Sequence, residues 1–179
     1  LRLFEAEDKG NCAACHPSKL GPGGEPPLFT DFTYDNLGVP RNPDNPFYKL
    51  PAQLNPAGAA WVDRGLGATV NKPSEDGKFK VPTLRNIELT APYMHNGYFK
   101  SLRGTVVFYN DRDKKPRCSQ DLVTEEAALK QKCWPAPEVN ANINDEELGN
   151  LGLTEREIDD IVAFMKTLND GWQAATSTR

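Results

Sequence analysis

The chain has 179 residues, of which 38% are hydrophobic, and its 21 Lys+Arg against 25 Asp+Glu give a formal net charge of −4 at pH 7. This length is most simply one domain that buries a real core. The longest apolar run, residues 57–62, is far shorter than the about 18 residues of a membrane span, so we predict no such span. The acidic balance argues against nucleic acid and anionic membrane surfaces as partners.

The N-terminal segment predicts a short helix followed by a haem-attachment motif. Residues 2–9 favour helix, and Gly10 ends the run. The sequence then reads Cys12-Ala13-Ala14-Cys15-His16, the C-x-x-C-H pattern typical of c-type haem. Each thiol forms a thioether with one vinyl group of the porphyrin, and the histidine binds the iron. We therefore predict one covalent haem c, held by Cys12, Cys15 and His16.

Two other kinds of site also use a C-x-x-C pair. A zinc site needs a second Cys/His pair, but Cys118 and Cys133 are far apart and His95 is the only other histidine. A redox dithiol of the thioredoxin type needs a βαβ context, which the Pro- and Gly-rich run after His16 does not offer. Both alternatives are therefore disfavoured.

The middle of the chain predicts long loops with little regular structure. Residues 17–56 hold most of the prolines, so we expect an extended loop that is packed by its aromatic residues and wraps a porphyrin edge. A short helical patch is predicted at 56–64, ended by Gly65. Residues 80–91 have a mixed pattern.

The last 80 residues contain the clearest helix signals. Ser101 is predicted to cap a helix that runs to about Asn110. Residues 111–149 are charged and irregular, and we interpret them as an insert that projects from the core, with a helical turn or two at 125–132. A capping box beginning at Thr154 starts the best-marked helix, whose apolar stripe runs to Leu168. No strand pattern of any length is present, and we predict an all-α domain over residues 1–179.

The two remaining cysteines bear on the cellular compartment. Haem c is attached outside the bacterial cytoplasm, and in an oxidising compartment the pair Cys118 and Cys133 indicates a disulfide rather than two free thiols. The chain begins at Leu1 without an initiator methionine, which we interpret as a removed targeting segment or as part of a longer chain. The predicted location is the periplasm or the cell exterior.

Three side chains have suitable chemistry for the other face of the iron. Met165 lies on the apolar stripe of the last helix, where a thioether is most simply core filler. Met94 and His95 are adjacent in an irregular segment, so only one points inward if the backbone is extended. A thioether raises the reduction potential, which suits an electron carrier, whereas a second imidazole lowers it. This chemistry favours Met94 only weakly, and His95 then hydrogen bonds beside the site.

Several motifs, in the same order, resemble one known family. Residues 79–99 read FKVPTLRNIELTAPYMHNGYF and resemble the hallmark stretch of bacterial dihaem cytochrome c peroxidases and their MauG-like relatives. Residues 29–32 and 36–40 are similar to the segment that follows the second haem motif in that family, and residues 152–168 are similar to its closing helix. The match is to the C-terminal half alone, and the insert at 111–149 is longer than the family usually carries.

The resemblance implies a cytochrome c-like domain with long loops around the haem. The C-terminal domain of those enzymes holds a high-potential haem that takes in electrons, while peroxide reacts at the N-terminal haem. His16 and Met94 match the axial ligands of the electron-accepting haem. MauG-like proteins have tyrosine at the methionine position, so Met94 argues against that subtype. Arg85 matches a position close to the haem, and we expect it to bind a propionate.

Three functions remain for such a chain. The first is electron transfer by a mono-haem cytochrome with a separate redox partner protein and no catalysis of its own. The second is the C-terminal part of a dihaem peroxidase, although a single C-x-x-C-H motif counts against a self-contained dihaem enzyme. The third is an electron-relay subunit docked on another oxidoreductase.

Overall fold

The computed structural model describes residues 1–171, so the end of the predicted 1–179 domain lies outside the described residues. Two short strands form an antiparallel sheet, β1 (Tyr34–Asp35) with β2 (Phe79–Lys80). The helices are α1 (Arg2–Glu5), α2 (Leu66–Val70), α3 (Leu102–Asp111), α4 (Glu125–Gln131) and α5 (Glu155–Lys166). Short 3₁₀ segments lie at Cys12–Ala14, Pro46–Lys49, Gly58–Ala60, Pro73–Glu75 and Ile87–Leu89.

The three helices in the C-terminal half confirm the sequence prediction, and each begins at a capping side chain. Ser101 caps α3 by accepting a hydrogen bond from the Gly104 amide, at 3.0 Å. Thr154 and Glu157 form the predicted capping box of α5, because each side chain accepts the backbone N–H of the other. Such caps satisfy amides that have no partner inside the helix.

The N-terminal half differs from the prediction in three places. Helix α1 ends at Glu5 instead of continuing to residue 9, because the chain turns back and the Gly10 amide donates to Leu3 O. The patch at 56–64 holds only a 3₁₀ turn, and α2 begins after Gly65. The sheet was not predicted, since strands of two residues carry no alternating pattern. The all-α class stays a prediction.

Buried asparagines hold the long loop in place. Asn36 donates to the carbonyls of Val139 and Ala141, and Asn42 donates to Asn96 O. These side-chain hydrogen bonds take the place of the regular backbone–backbone hydrogen bonds that a Pro- and Gly-rich sequence cannot form. The loop is therefore tied to two distant parts of the chain, residues 139–141 and the segment around Met94.

The insert at 111–149 is part of the core, so its interpretation as a projection from the core is wrong. Trp134 is fully buried, packs edge-on against Phe108 at 5.2 Å between ring centroids, and donates from Nε1 to the Asp111 carboxylate. The predicted disulfide joins Cys118 to Cys133 directly before this tryptophan. A few buried apolar residues hold the segment against the core. Because many charged residues surround them in the sequence, no apolar pattern there predicts this packing.

Helices α3 and α5 pack against each other and form one wall of the core. Their buried apolar residues are Leu102, Val106, Val107, Phe108, Ile158, Ile161 and Met165. In the part of the chain that the structure describes, no helix is long and apolar enough to cross a membrane.

Candidate haem site

A large, mainly apolar cavity of about 410 Å³ lies between the motif, the segment around Met94, the insert and helices α3 and α5. Cofactor sites in proteins usually measure about 300–1,000 Å³ and are lined mostly by apolar side chains. Cys12, Cys15, His16 and Met94 all line this cavity, so the structure brings the predicted attachment and axial residues together.

The motif reaches the cavity through one tight turn. Asn11 adopts a left-handed backbone conformation (φ 50°), which asparagine tolerates better than most residues. A 3₁₀ turn follows at Cys12–Ala14, and the His16 amide donates to Cys12 O at 2.9 Å. This turn presents the two thiols and the imidazole to the same space.

His16 has a fixed ring orientation. Its Nδ1 lies 2.7 Å from the carbonyl oxygen of Phe29, which can only accept, so Nδ1 carries the proton. The other ring nitrogen, Nε2, is then the unprotonated one, as iron ligation requires. Burial also lowers the pKa of His16, which favours the neutral imidazole.

The two thiols lie in different surroundings at the motif end of the cavity. Burial raises the pKa of Cys12 to about 12 and that of Cys15 to about 12. Cys12 Sγ donates to Gly10 O at 3.3 Å, whereas Cys15 Sγ lies 3.5 Å from a carboxylate oxygen of Glu147. Asp35 and Glu147 come together beside Cys15 because Asn144 donates to both carboxylates. No motif in the sequence marks this acidic pair.

Met94 lies at the tip of a tight loop. The Tyr93 amide donates to Phe99 O at 2.7 Å and closes the loop, and Met94 itself has a left-handed backbone (φ 68°). His95 and Met165 also line the cavity, so the structure brings all three candidate ligands to it. Met165 belongs to the buried face of α5, one helical turn after Ile161, whose side chain approaches Gly10 beside the motif.

His95 has partners in the protein on two sides. Its ring stacks on Phe79, and its Nε2 faces the carboxylate of Glu138. The predicted role of His95, a hydrogen-bonding residue beside the site, stays a prediction. Glu138 comes from the insert, as do Val139, Glu147 and Leu148, which also line the cavity. Sequence reasoning missed all four, because no motif marks them.

Arg85 is not brought to the cavity. Its Nε donates to Pro27 O at 2.9 Å, and its guanidinium lies over the Phe29 ring at 5.1 Å from the centroid. It therefore supports the residue whose carbonyl orients His16. The predicted contact of Arg85 with a propionate stays a prediction.

The residues present fit a haem. The chemistry of the donor set suits iron, with an oriented imidazole and a thioether lining one cavity. The two cysteines are separated by two residues, as in the haem-attachment motif, and the remaining walls of the cavity are mainly apolar.

The comparisons with known proteins point in the same direction. The methylamine utilization protein MauG of Paracoccus denitrificans is 37% identical over 163 residues, which cover 89% of this chain and 39% of MauG. The cytochrome-c peroxidase IdrP1 of Denitromonas iodatirespirans is 30% identical over 90% of this chain and 37% of its own length. The chain belongs to the family of MauG and the bacterial dihaem cytochrome c peroxidases. No family model matches it.

Solved structures of the family superpose on nearly the whole chain. A tyrosine-to-methionine variant of the diheme peroxidase BthA from Burkholderia thailandensis has a TM-score of 0.62 and 31% identity over 95% of this chain and 41% of BthA. Unmodified BthA has a TM-score of 0.60 at the same identity. The chain thus spans about two fifths of the relatives it matches. Because both MauG and peroxidases are among them, the subtype predicted from Met94 stays a prediction.

Proposed function

We propose that this chain transfers electrons through one covalently attached haem c, with the iron bound by His16 and Met94 and the thioethers formed by Cys12 and Cys15. The observation that carries the proposal is the single cavity that the motif and Met94 both line, with His16 oriented by Phe29 O at 2.7 Å. We place the protein in the periplasm, where c-type haem is attached, and the Cys118–Cys133 disulfide supports an oxidising compartment.

The haem, when bound, supplies one-electron oxidation and reduction at its iron. The chain's own residues bind and shield it. The Phe29 carbonyl holds the proton of His16 on Nδ1, and the closed loop at Tyr93 and Phe99 positions the thioether of Met94. The apolar side chains of α3 and α5 that line the cavity limit the access of water and lower the local dielectric constant, which influences the reduction potential.

A second candidate is the electron-accepting part of a dihaem peroxidase-type enzyme. The comparisons favour it, because the relatives are more than twice as long as the region that this chain matches. In the first candidate the redox partner is a separate protein, whereas in the second it is another haem domain of the same polypeptide.

Haem counting on the protein isolated from its source separates the two candidates. One haem per chain, a sulfur-to-iron charge-transfer band and no peroxide consumption with a chemical electron donor are expected for the carrier. Two haems on a longer mature chain, with peroxide turnover, would favour the enzyme. A single-haem chain that consumes peroxide by itself contradicts the carrier proposal.

A further inference from the structure

Two carboxylates lie against the second cysteine of the haem-attachment motif. Glu147 Oε2 is 3.5 Å from Cys15 Sγ, and this sulfur lies within 4.8 Å of an oxygen of both Asp35 and Glu147. Both acidic residues line the cavity that fits the haem. Because a thioether bond joins the sulfur of this position to the edge of the porphyrin, a charge beside Cys15 is a charge beside the ring.

The carboxylates are held in place without the help of the thiol. Asn144 donates one side-chain N–H to Asp35 at 2.5 Å and the other to Glu147 at 2.6 Å. Asn144 is itself fixed, because its backbone amide donates to Asn36 O at 2.9 Å and its side-chain oxygen accepts the Glu147 amide at 3.1 Å. The pair therefore keeps its position when the Cys15 thiol hydrogen is replaced by a bond to the porphyrin.

No cation of the protein neutralises the pair. Within residues 1–171, neither Asp35 nor Glu147 takes part in an ion pair. Lys80 is the one lysine or arginine that lines the cavity in this range, and its Nζ lies over the Phe32 ring at 4.7 Å from the centroid. After burial, the charges of Glu147 and Asp35 are further causes of the raised pKa of Cys15. Their negative charge thus acts on the attachment sulfur.

We propose that Asp35 and Glu147 lower the reduction potential of the haem through their negative charge beside Cys15. Oxidised haem iron carries one more positive charge than reduced iron, so a nearby carboxylate stabilises the oxidised form more. The insert at 111–149 supplies Glu147 and Asn144, and it thereby helps to set the potential. This inference rests on the haem attachment in the proposed function, and it does not depend on which side chain is the sixth ligand.

The sixth ligand must stay the same in any test of this charge effect. Tyr109 of α3 lines the cavity, and a phenol oxygen, like the thioether of Met94, has the chemistry to bind haem iron. Burial, and then Cys12, Cys15 and Asp35, raise the pKa of Tyr109, which places it at the same end of the cavity as the acidic pair. Because a change of axial ligand shifts the potential by itself, absorption and EPR spectra must accompany every potential.

Redox titration of the haem-loaded protein tests the proposal. Asp35→Asn and Glu147→Gln each remove one charge and keep the shape of the side chain. Each should raise the potential, the double variant should raise it further, and the spectra should stay those of the wild type. Glu147→Asp keeps the charge and should stay close to the wild-type potential. If Asp35→Asn does not fold, the two Glu147 variants decide the question.

Glu146→Gln is the matched control. Glu146 is the neighbour of Glu147 in the insert, but its side chain is exposed and does not line the cavity. The substitution changes the net charge of the protein by the same amount as Glu147→Gln. It should leave the potential at the wild-type value, because an exposed charge is screened by solvent.

Four outcomes would overturn the inference. They are a wild-type potential in Asp35→Asn or Glu147→Gln, an equal rise in Glu146→Gln and Glu147→Gln, an equal rise in Glu147→Asp and Glu147→Gln, and a rise that comes with changed spectra. A wild-type protein without covalently attached haem would instead overturn the proposed function.

Discussion

The two ends of the cavity are built in different ways. At the motif end, a contiguous run of five residues supplies both thiols and the imidazole, and His16 is oriented by a carbonyl only 13 positions away. At the Met94 end, the environment is assembled from remote segments, and the bond between Asp63 and Glu138 spans 75 positions. The proposed attachment residues are thus neighbours in the sequence, whereas the surroundings of Met94 depend on tertiary contacts.

The largest effect is expected at the motif end. Replacing Cys12 and Cys15 together by alanine removes both thioether bonds, so the chain should lose covalently attached haem completely. Haem staining and absorbance after denaturation measure this loss. The matched control is Cys118→Ser with Cys133→Ser, which should keep the haem. Covalent haem in the first variant would contradict the account.

At the Met94 end, Met94→Ala should lower the reduction potential and open the iron to added ligands, because a thioether favours the ferrous state. Its control is Met165→Ala, which should leave the iron closed and cost about 2–5 kcal/mol of unfolding free energy through a core cavity. Redox titration and cyanide binding measure the first effect, and denaturant unfolding the second. If Met165→Ala opened the iron to added ligands and Met94→Ala did not, Met165 would be the sixth ligand.

The insert connects the two ends, and its disulfide should matter mainly for stability. Cys118→Ser with Cys133→Ser is expected to lower the unfolding free energy by about 3 kcal/mol, since the bridge closes a loop of 15 positions. Denaturant unfolding of the oxidised and variant proteins measures the difference. Equal stability of the two would mean that Trp134 and its neighbours fix the insert without the bridge.

The smallest effect is expected at the capping box of α5, whose residues Thr154 and Glu157 do not line the cavity. Thr154→Ala should cost about 1 kcal/mol through loss of the N-cap.

The hydrogen bond from the Thr154 backbone lowers the pKa of Glu157 below its usual range. The contribution of Glu157 is therefore present above that range and is lost as the pH falls through the lowered pKa. Unfolding measured at neutral and acidic pH in wild type and Glu157→Gln should show the difference shrinking on acidification. A difference that grows on acidification would contradict this assignment.

The contrast between contacts that are local in the sequence and contacts between remote segments explains which features the sequence predicts. Cys12 to His16, the Ser101 cap and the Thr154 capping box depend on neighbours within a few positions, and the structure contains each of them. Glu138 could not be found in this way, because its partners Asp63 and His95 are adjacent only in the folded chain.

Arg85 shows what a positional resemblance leaves open. Its place in the motif predicts a contact with the haem, which stays a prediction, and in the structure its Nε donates to Pro27 O, 58 positions away. Trp134 shows the same limit for packing, since the charged residues around it predicted an exposed insert although its own side chain is fully buried.

The most direct test of the central claim is mass spectrometry of the tryptic peptide that holds the motif. Cleavage after Lys9 and Lys19 releases residues 10–19. The account predicts that this peptide carries the mass of one haem and that no other peptide does. An unmodified peptide 10–19 from the protein isolated from its source would contradict it.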